Sequence, residues 1–250
     1  MTSVARQEHI AFQANLYSDP NPTRRSLHGT RREWVESAVS EFAKPGTKVL
    51  EVGVGCGIFT RFLSHSGAEV TAIDINPDFI HAVATLPNVT AHVRDATQPL
   101  DVEPQDVALS SEVLEHVPPD RSVAMLKAIR AALKPGAVFV LTTPQSYATM
   151  ELMARLLRFP PVLALARKIY GSVDELGHIN LLTAPALRRQ LVEAGFTIER
   201  EARFGFYLPV IADFGGNVGQ RVLVSVERAI RHIPVLRGLL WTQAYVLRAS

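Results

Sequence analysis

The chain has 250 residues, 47% of them hydrophobic, enough for one large core. Its formal net charge is +2 and it carries no Lys/Arg block, so it lacks the charge signature of a nucleic-acid-binding arm. One cysteine, Cys56, excludes an intrachain disulfide framework.

The opening stretch "MTSVARQEHIAFQANLY" has no apolar h-region, so a secretory signal is not expected. No uncharged apolar run is long enough to span a bilayer. With a lone cysteine suited to a reducing compartment, a cytoplasmic location is the expectation. The stretch "YSDPNPTRRSLHGTRREWV" offers Tyr17, Arg24, Arg25 and His28, either as ligand contacts or as a solvated basic helix entrance. An amphipathic helix is predicted over 30–44.

From residue 47 to 144, short β-branched runs alternate with helical patterns. Strands are predicted at 48–53, 69–74, 89–96, 106–111 and 137–143. Helices are predicted between them, one opened by Asn76 and Pro77, with Gly67 and Gly136 as stops after helices. This alternation gives an α/β fold, doubly wound and Rossmann-like, with a mostly parallel sheet covered on both faces.

The first strand runs into "EVGVGCG". Gly53, Gly55 and Gly57 let backbone turn tightly and approach a ligand at the sheet's carboxyl edge. Ile58 stands where a dinucleotide fingerprint needs glycine or alanine, which ranks a nicotinamide-dependent oxidoreductase low. Glu51 would repel a pyrophosphate and suits a cofactor carrying an amine or cation. Asp74 closes the second strand, about 20 residues past the glycines, where a carboxylate can accept ribose hydroxyls. Asp95 ends the third predicted strand and could meet an adenine amino group. Cys56 needs only to be small.

After the fourth strand, "SSEVLEHVPPD" gathers Glu112, Glu115 and His116, which would share one face if helical. Carboxylate and imidazole donors suit a divalent cation such as Mg²⁺, and His178 in "ELGHINLL" could close over the same spot. The open alternatives are a metal site formed by Glu112, Glu115, His116 and His178, a metal-free histidine base, and a plain helix entrance.

Beyond the core, "MELMARLLRFPPVLALARKIYG" is apolar, broken by Pro160–Pro161 and dotted with Arg155, Arg158, Arg167 and Lys168. It is read as a lid, and the open alternatives are that it lines an acceptor pocket, lies on a membrane surface, buries against a partner, or packs as ordinary core. A capped helix with Gly195 as its stop is predicted in 183–196. Two closing strands are expected in "TIEREARF" and "LLWTQAYVLRA", with loop and helix between them. With no linker visible, the expectation is a single domain: a helical cap (1–46), a cofactor-binding core (47–144), a lid (145–182) and a closing segment (183–250).

The ordered set "VLEVGVGCG", "VTAIDIN", "RDAT", "DVALSSEVLEHVPP", "LKPGAVFVLTTP" and "GHINLLTAPALRRQLVEAGF" resembles the class I S-adenosylmethionine-dependent methyltransferases over residues 47–200. The resemblance implies a seven-stranded sheet whose last strand pair is antiparallel. It implies S-adenosyl-L-methionine as cofactor. Glu51 and Gly53 would lie by its methionine part, Asp74 and Ile75 by the ribose, Asp95 and Ala96 by the adenine, and Ser111 would be a further contact. The Glu/Glu/His/His pattern is similar to the metal-supported sites of ubiquinone-pathway O-methyltransferases and small-RNA 2′-O-methyltransferases. Methyl transfer then asks the protein for alignment and, at a hydroxyl acceptor, a base or metal, with Glu115, His116 and His178 as candidates. If the apolar lid faces substrate, the expected acceptor is a small-molecule, glycosidic or lipid-like one, methylated at a hydroxyl oxygen. An RNA 2′-O-methyltransferase and a non-catalytic cofactor-binding protein are the alternatives.

Overall fold

The computed structural model describes residues 15–156 and 178–250. The first helix, α1 (Pro22–Ser40), opens on Asn21, whose side chain accepts the N–H groups of Thr23 and Arg24, with Pro22 in the first turn. It starts eight residues before the helix predicted over 30–44, because the Asn-Pro cap is upstream of the apolar pattern.

The core follows as β1 (Lys48–Val52), α2 (Ile58–His65), β2 (Glu69–Asp74), α3 (Pro77–Val83), β3 (Val89–Val93), β4 (Gln105–Ser111), α4 (Ser122–Ala131) and β5 (Leu133–Pro144). Asn76 caps α3 through the Asp78 N–H. Then come α5 (Thr149–Leu156), α6 (Ala184–Glu193), β6 (Phe196–Phe204), α7 (Pro209–Phe214), α8 (Gly216–Ile230) and β7 (Thr242–Ala249). Thr183 caps α6 through the Ala186 N–H.

The seven strands form one sheet in the order β3-β2-β1-β4-β5-β7-β6. Neighbours from β3 to β5 are parallel, while β7 runs antiparallel to both β5 and β6. The predicted fold class and the antiparallel final pair are what the structure has.

Two details differ from the sequence expectation. Gly136 (φ 75°) lies inside β5 and does not stop a helix; α4 ends at Ala131. On β4 the register steps from Gln105 to Val107 while on β5 it steps from Leu133 to Val138, a bulge that absorbs the glycine. The third strand ends at Val93, so Asp95 sits on the turn beyond it.

Side chains alternate across the sheet and supply a core on each face. Val49, Val70, Val107, Leu109, Val140 and Val246 meet Val35 and Val39 of α1, Leu63 of α2 and Val83 of α3. Leu50, Ile73, Phe139, Leu141, Tyr245 and Leu247 meet Met125, Leu126 and Ile129 of α4 and Leu187 and Leu191 of α6. A smaller cluster of Leu27, Ala148, Tyr207, Ala212, Leu223 and Trp241 ties α1, α7 and α8 to the start of β7. The core strands of a parallel array all end on one edge. Pro144, Thr242 and Phe204 meet there as well, since Thr242 pairs with both. The carboxyl edge therefore gathers the loops after β1, β2, β3, β4, β5 and β6.

Two glycines test the packing in opposite directions. A Cβ on Gly219 of α8 would sit 2.4 Å from the Ile211 carbonyl oxygen of α7, whereas a Cβ on Gly29 of α1 meets nothing within 4 Å. Gly219→Ala is expected to lower stability in urea unfolding by about 1–3 kcal/mol, through overpacking against backbone. Gly29→Ala is expected to raise it by about 0.5–1 kcal/mol, through a stiffer unfolded chain and better helix propensity.

Candidate active site

The loop after β1 carries three glycines with positive φ: Gly53 (84°), Gly55 (53°) and Gly57 (74°). At Gly53 a side chain is excluded twice, by conformation and because a Cβ would lie 2.1 Å from Val113 Cγ2. The loop is held open by Asp74, whose Oδ2 accepts the Val54 N–H at 2.9 Å and the Gly55 N–H at 3.4 Å. Its Oδ1 accepts the Asn76 N–H at 2.8 Å. Asp74 thus fastens the ends of β1 and β2 together before any ligand is considered. Ile75 beside it is 71% exposed, an apolar surface on the open edge. Asp95 accepts both the N–H and the hydroxyl of Thr97, and these bonds hold its carboxyl below the usual range. Ala96 packs partly buried against the core.

Glu51 is only 2% exposed, and its Oε2 has no hydrogen-bond partner. Burial pushes its carboxyl up to about 8; hydrogen bonding from Thr60 opposes the shift and the charge of Asp74 adds to it. An orphaned buried carboxyl oxygen beside a glycine cradle is the kind of group that a cationic ligand would satisfy. The Cys56 thiol is also pushed up, by burial, which keeps it a poor nucleophile.

After β4 the chain does not enter the α-helix that would align Glu112, Glu115 and His116. Glu112 has a φ of 57°, uncommon for a residue with a side chain, and only a single 3₁₀ turn, Leu114–His116, follows. The turn gives Glu112 partners that the other two do not share. Its carboxylate takes Arg31 Nη1 at 2.9 Å and the Thr142 hydroxyl at 3.1 Å, and Thr142 in turn lies 2.9 Å from the Ser111 hydroxyl. Burial is the largest influence and works against the Arg31 charge, but Glu112, Tyr17 and Glu115 together more than offset it, and the guanidinium pKa is raised. Arg31 Nη2 donates to His28 Nδ1 at 3.1 Å. His28 is held neutral, with its pKa lowered to about 3 by burial and by the charges of Arg31 and Arg24. The Trp241 ring lies edge-on to His28 and beneath the Arg31 guanidinium.

Three predicted residues do converge. Glu115, His116 and His178 offer ligand atoms that all lie within 4.8 Å of one another, and the two imidazole rings meet edge to face. Glu115 is 1% exposed; its Oε2 accepts the Thr143 hydroxyl at 3.0 Å and its Oε1 has no partner. Burial, and then the nearby Glu112, raise its pKa well above the carboxylate range. The Ile179 and Asn180 N–H groups both donate to the Glu115 carbonyl, which locks the His178 segment onto the turn. Glu112 of the predicted four-ligand set stands outside this group, committed to Arg31.

Several residues of the site escaped the sequence reading. Glu151 of α5, buried, lies 3.0 Å from His178 Nδ1 and also accepts the Trp241 indole N–H at 3.3 Å. Its sequence signal was an acid in an otherwise apolar stretch. Arg31 could have been found as a charge on the apolar stripe Leu27–Arg31–Val35. Thr142 and Thr143 carried no signal, since only pairing of β5 with β4 places them here. Of the N-terminal candidates, Arg24 binds Asp213 at 2.9 Å and Tyr17 packs against His28. Arg155 of the lid region donates to Ser146. Most of the predicted lid, with Arg158, Arg167 and Lys168, falls in 157–177, outside the described residues.

Comparison with known proteins gives concordant results. The family model of a methyltransferase domain matches residues 26–201. The ubiquinone biosynthesis O-methyltransferase of Xanthomonas campestris pv. campestris is 30% identical over 165 residues, covering 60% of this chain and 68% of that protein. Among solved structures, the N-methyltransferase NodS from Bradyrhizobium japonicum WM9, in complex with S-adenosyl-L-homocysteine, matches with a TM-score of 0.60 and 15% identity over 98% of this chain and 97% of that one. Magnesium protoporphyrin IX methyltransferase (ChlM) from Synechocystis PCC 6803, with bound S-adenosyl-L-homocysteine, matches with a TM-score of 0.58 and 17% identity over 99% and 94%. At these identities the two solved structures bear on the fold.

Two outcomes follow from the site's electrostatics. Arg31→Met leaves Glu112 in a largely buried position without its cation, and should cost about 3–5 kcal/mol in chemical unfolding. Glu51 binds its proton more tightly in the folded state than in the unfolded one. The ligand-free protein should therefore lose stability as pH rises from the ordinary carboxylate range to about 8. The loss attributable to Glu51 should be on the order of 5 kcal/mol, and Glu51→Gln should remove that part of the slope in pH-dependent urea titrations.

Proposed function

The chain belongs to the class I S-adenosylmethionine-dependent methyltransferases, and on that premise we propose that it methylates a hydroxyl oxygen of a small-molecule, glycosidic or lipid-like acceptor. The observation that carries the reading is the convergence of Glu115, His116 and His178 at the end of β4. Cofactor would lie across the glycine loop, with its amine toward Glu51, its ribose toward Asp74 and Ile75, its adenine toward Asp95 and Ala96, and Ser111 as a further contact. The orphaned Glu51 oxygen fits the amine: a cation there would favour the ionised carboxylate that burial disfavours. When bound, the cofactor supplies an already activated methyl group, and the chain's task is to align an oxygen and deal with its proton.

Two ways of dealing with that proton are compatible with the side chains. In the first, Glu115, His116 and His178 hold a divalent cation. The donor set fits, with one carboxylate oxygen lacking a partner, two imidazoles, and a Glu151 carboxylate placed to orient His178 through Nδ1 and leave Nε2 for the ion. A cation there would lower the pKa of a bound hydroxyl, and two imidazoles favour Mn²⁺ or Zn²⁺ over Mg²⁺. In the second, the Glu151–His178 pair acts without metal, the carboxylate fixing the tautomer so that Nε2 accepts the acceptor's proton. Against an RNA acceptor stands the near-neutral charge. The N-methyltransferase among the structural neighbours marks the main rival, transfer to nitrogen, which needs less help with a proton.

Calorimetry with S-adenosylmethionine and S-adenosylhomocysteine should show binding that survives His178→Ala and Glu115→Ala but is weakened by Asp74→Ala. His178→Ala should lower turnover of a hydroxyl acceptor by about 10²–10⁴-fold, the usual contribution of an acid–base group. If a cation is used, Mn²⁺ should bind wild type calorimetrically and fail to bind Glu115→Ala, and a chelator should abolish turnover. Turnover that survives the chelator and falls with His178→Ala assigns the work to the imidazole. Turnover indifferent to both variants overturns the acceptor-side assignment.

A further inference from the structure

The connection between β6 and β7, residues 205–241, is rooted at the carboxyl edge at both ends, where Phe204 and Thr242 pair. Within it α8 turns Gly219, Leu223 and Glu227 inward. Its outward face is divided. Val218, Val222 and Ala229 are exposed and recur at spacings of four and seven, one row on a helix. Arg221, Ser225 and Arg228 are exposed at spacings of four and three, the neighbouring row. Val210 on α7 and Val235 and Leu236 after α8 are exposed as well, with Val218 at 71% and Val235 at 85%. Isolated apolar residues on a surface need no explanation, but a row of them along one helix face calls for one.

Charge indicates what that surface meets. The connection holds Arg221, Arg228, Arg231 and Arg237 against two acids, Asp213 and Glu227. Both acids are turned inward. Asp213 accepts the Tyr207 hydroxyl and Arg24, while Glu227 accepts the Gly205 and Phe206 N–H groups and pairs with Arg231. Among the described residues, Arg221 and Arg228 enter no ion pair. An apolar row flanked by unpaired arginines, with the connection's acids turned inward, complements an anionic bilayer: valines reach the acyl boundary while guanidiniums stay at the phosphates. No helix among the described residues is long and apolar enough to cross a membrane, so the contact is peripheral.

We infer that the 205–241 connection rests on an anionic lipid surface and lays the carboxyl edge of the sheet against it. This surface is separate from the lid, and it does not require the acceptor itself to be a lipid. Vesicle binding is read without turnover, so it can fail while the proposed methyl transfer stands, and the reverse.

The test is sedimentation of the full chain with phosphatidylcholine vesicles, with and without phosphatidylglycerol. Wild type should bind only the anionic vesicles, and less so in high salt. Arg221→Glu with Arg228→Glu should weaken binding about thirtyfold or more, the removal of two surface cations. Val218→Asp with Val222→Asp should abolish it, with S-adenosylmethionine binding unchanged as the check on folding. Failure of wild type to bind anionic vesicles overturns the inference. So does binding that is unchanged in both double variants. A wild-type dimer that the valine variants split, with vesicle binding intact, assigns the face to a second copy of the chain and overturns it too.

Discussion

The buried pair between Arg31 and Glu112 is the interaction on which the candidate site depends. It joins α1, outside the sheet, to the residue that immediately follows β4. Through Thr142 it reaches Ser111 and the neighbouring strand, and through His28 it reaches Trp241 at the start of β7. Holding Glu112 here goes with its left-handed backbone, and that turn redirects the chain so that Glu115 and His116 face His178. A pair this buried is costly to desolvate and gives little net stability, but breaking one half strands the other. Its contribution is geometric: it sets where the acceptor-side groups point.

Around that pair the site is unusually rich in carboxyls that burial pushes toward neutrality. Glu51 and Glu115 each have an oxygen without a partner. Native proteins rarely leave buried polar atoms orphaned, and those that remain concentrate where a ligand completes the structure. Both oxygens suit cationic neighbours. Asp74 and Asp95, by contrast, already have backbone and hydroxyl partners, so part of their role is to shape the loops that a nucleoside would contact.

The fold was largely legible because its signals are local. Period-two runs, helical spacing, Asn76–Pro77 and the glycine loop each act within a few residues, and their order dictates a doubly wound sheet. The misreadings also have local causes. The Asn21–Pro22 cap precedes the apolar pattern by several residues, so α1 was expected to start late. Gly136 carries the positive φ of a helix stop, but it serves a strand bulge, and sequence does not distinguish the two uses. The helical face proposed for Glu112, Glu115 and His116 assumed that the chain would continue as an α-helix after β4. A 3₁₀ turn replaced it, and the spacing argument then no longer applied to Glu112.

Residue order alone therefore determined the class of fold and the edge of the sheet that carries Glu51, Asp74, Asp95, Glu115 and His116, the candidate groups, with His178 as a distant partner. These follow from short-range backbone preferences and from the rule that parallel strands end together. Tertiary structure decided which of them meet. His178 reaches Glu115 and His116 because two backbone N–H groups fasten its segment to the 3₁₀ turn, and Glu151 meets His178 where the Trp241 indole N–H also holds its carboxylate. Arg31 is drawn into the site because α1 packs across the sheet and a buried guanidinium must find a carboxylate. Contacts between residues so far apart in the chain are set by packing and by the satisfaction of buried polar groups. Neither leaves a mark at a fixed spacing in the sequence.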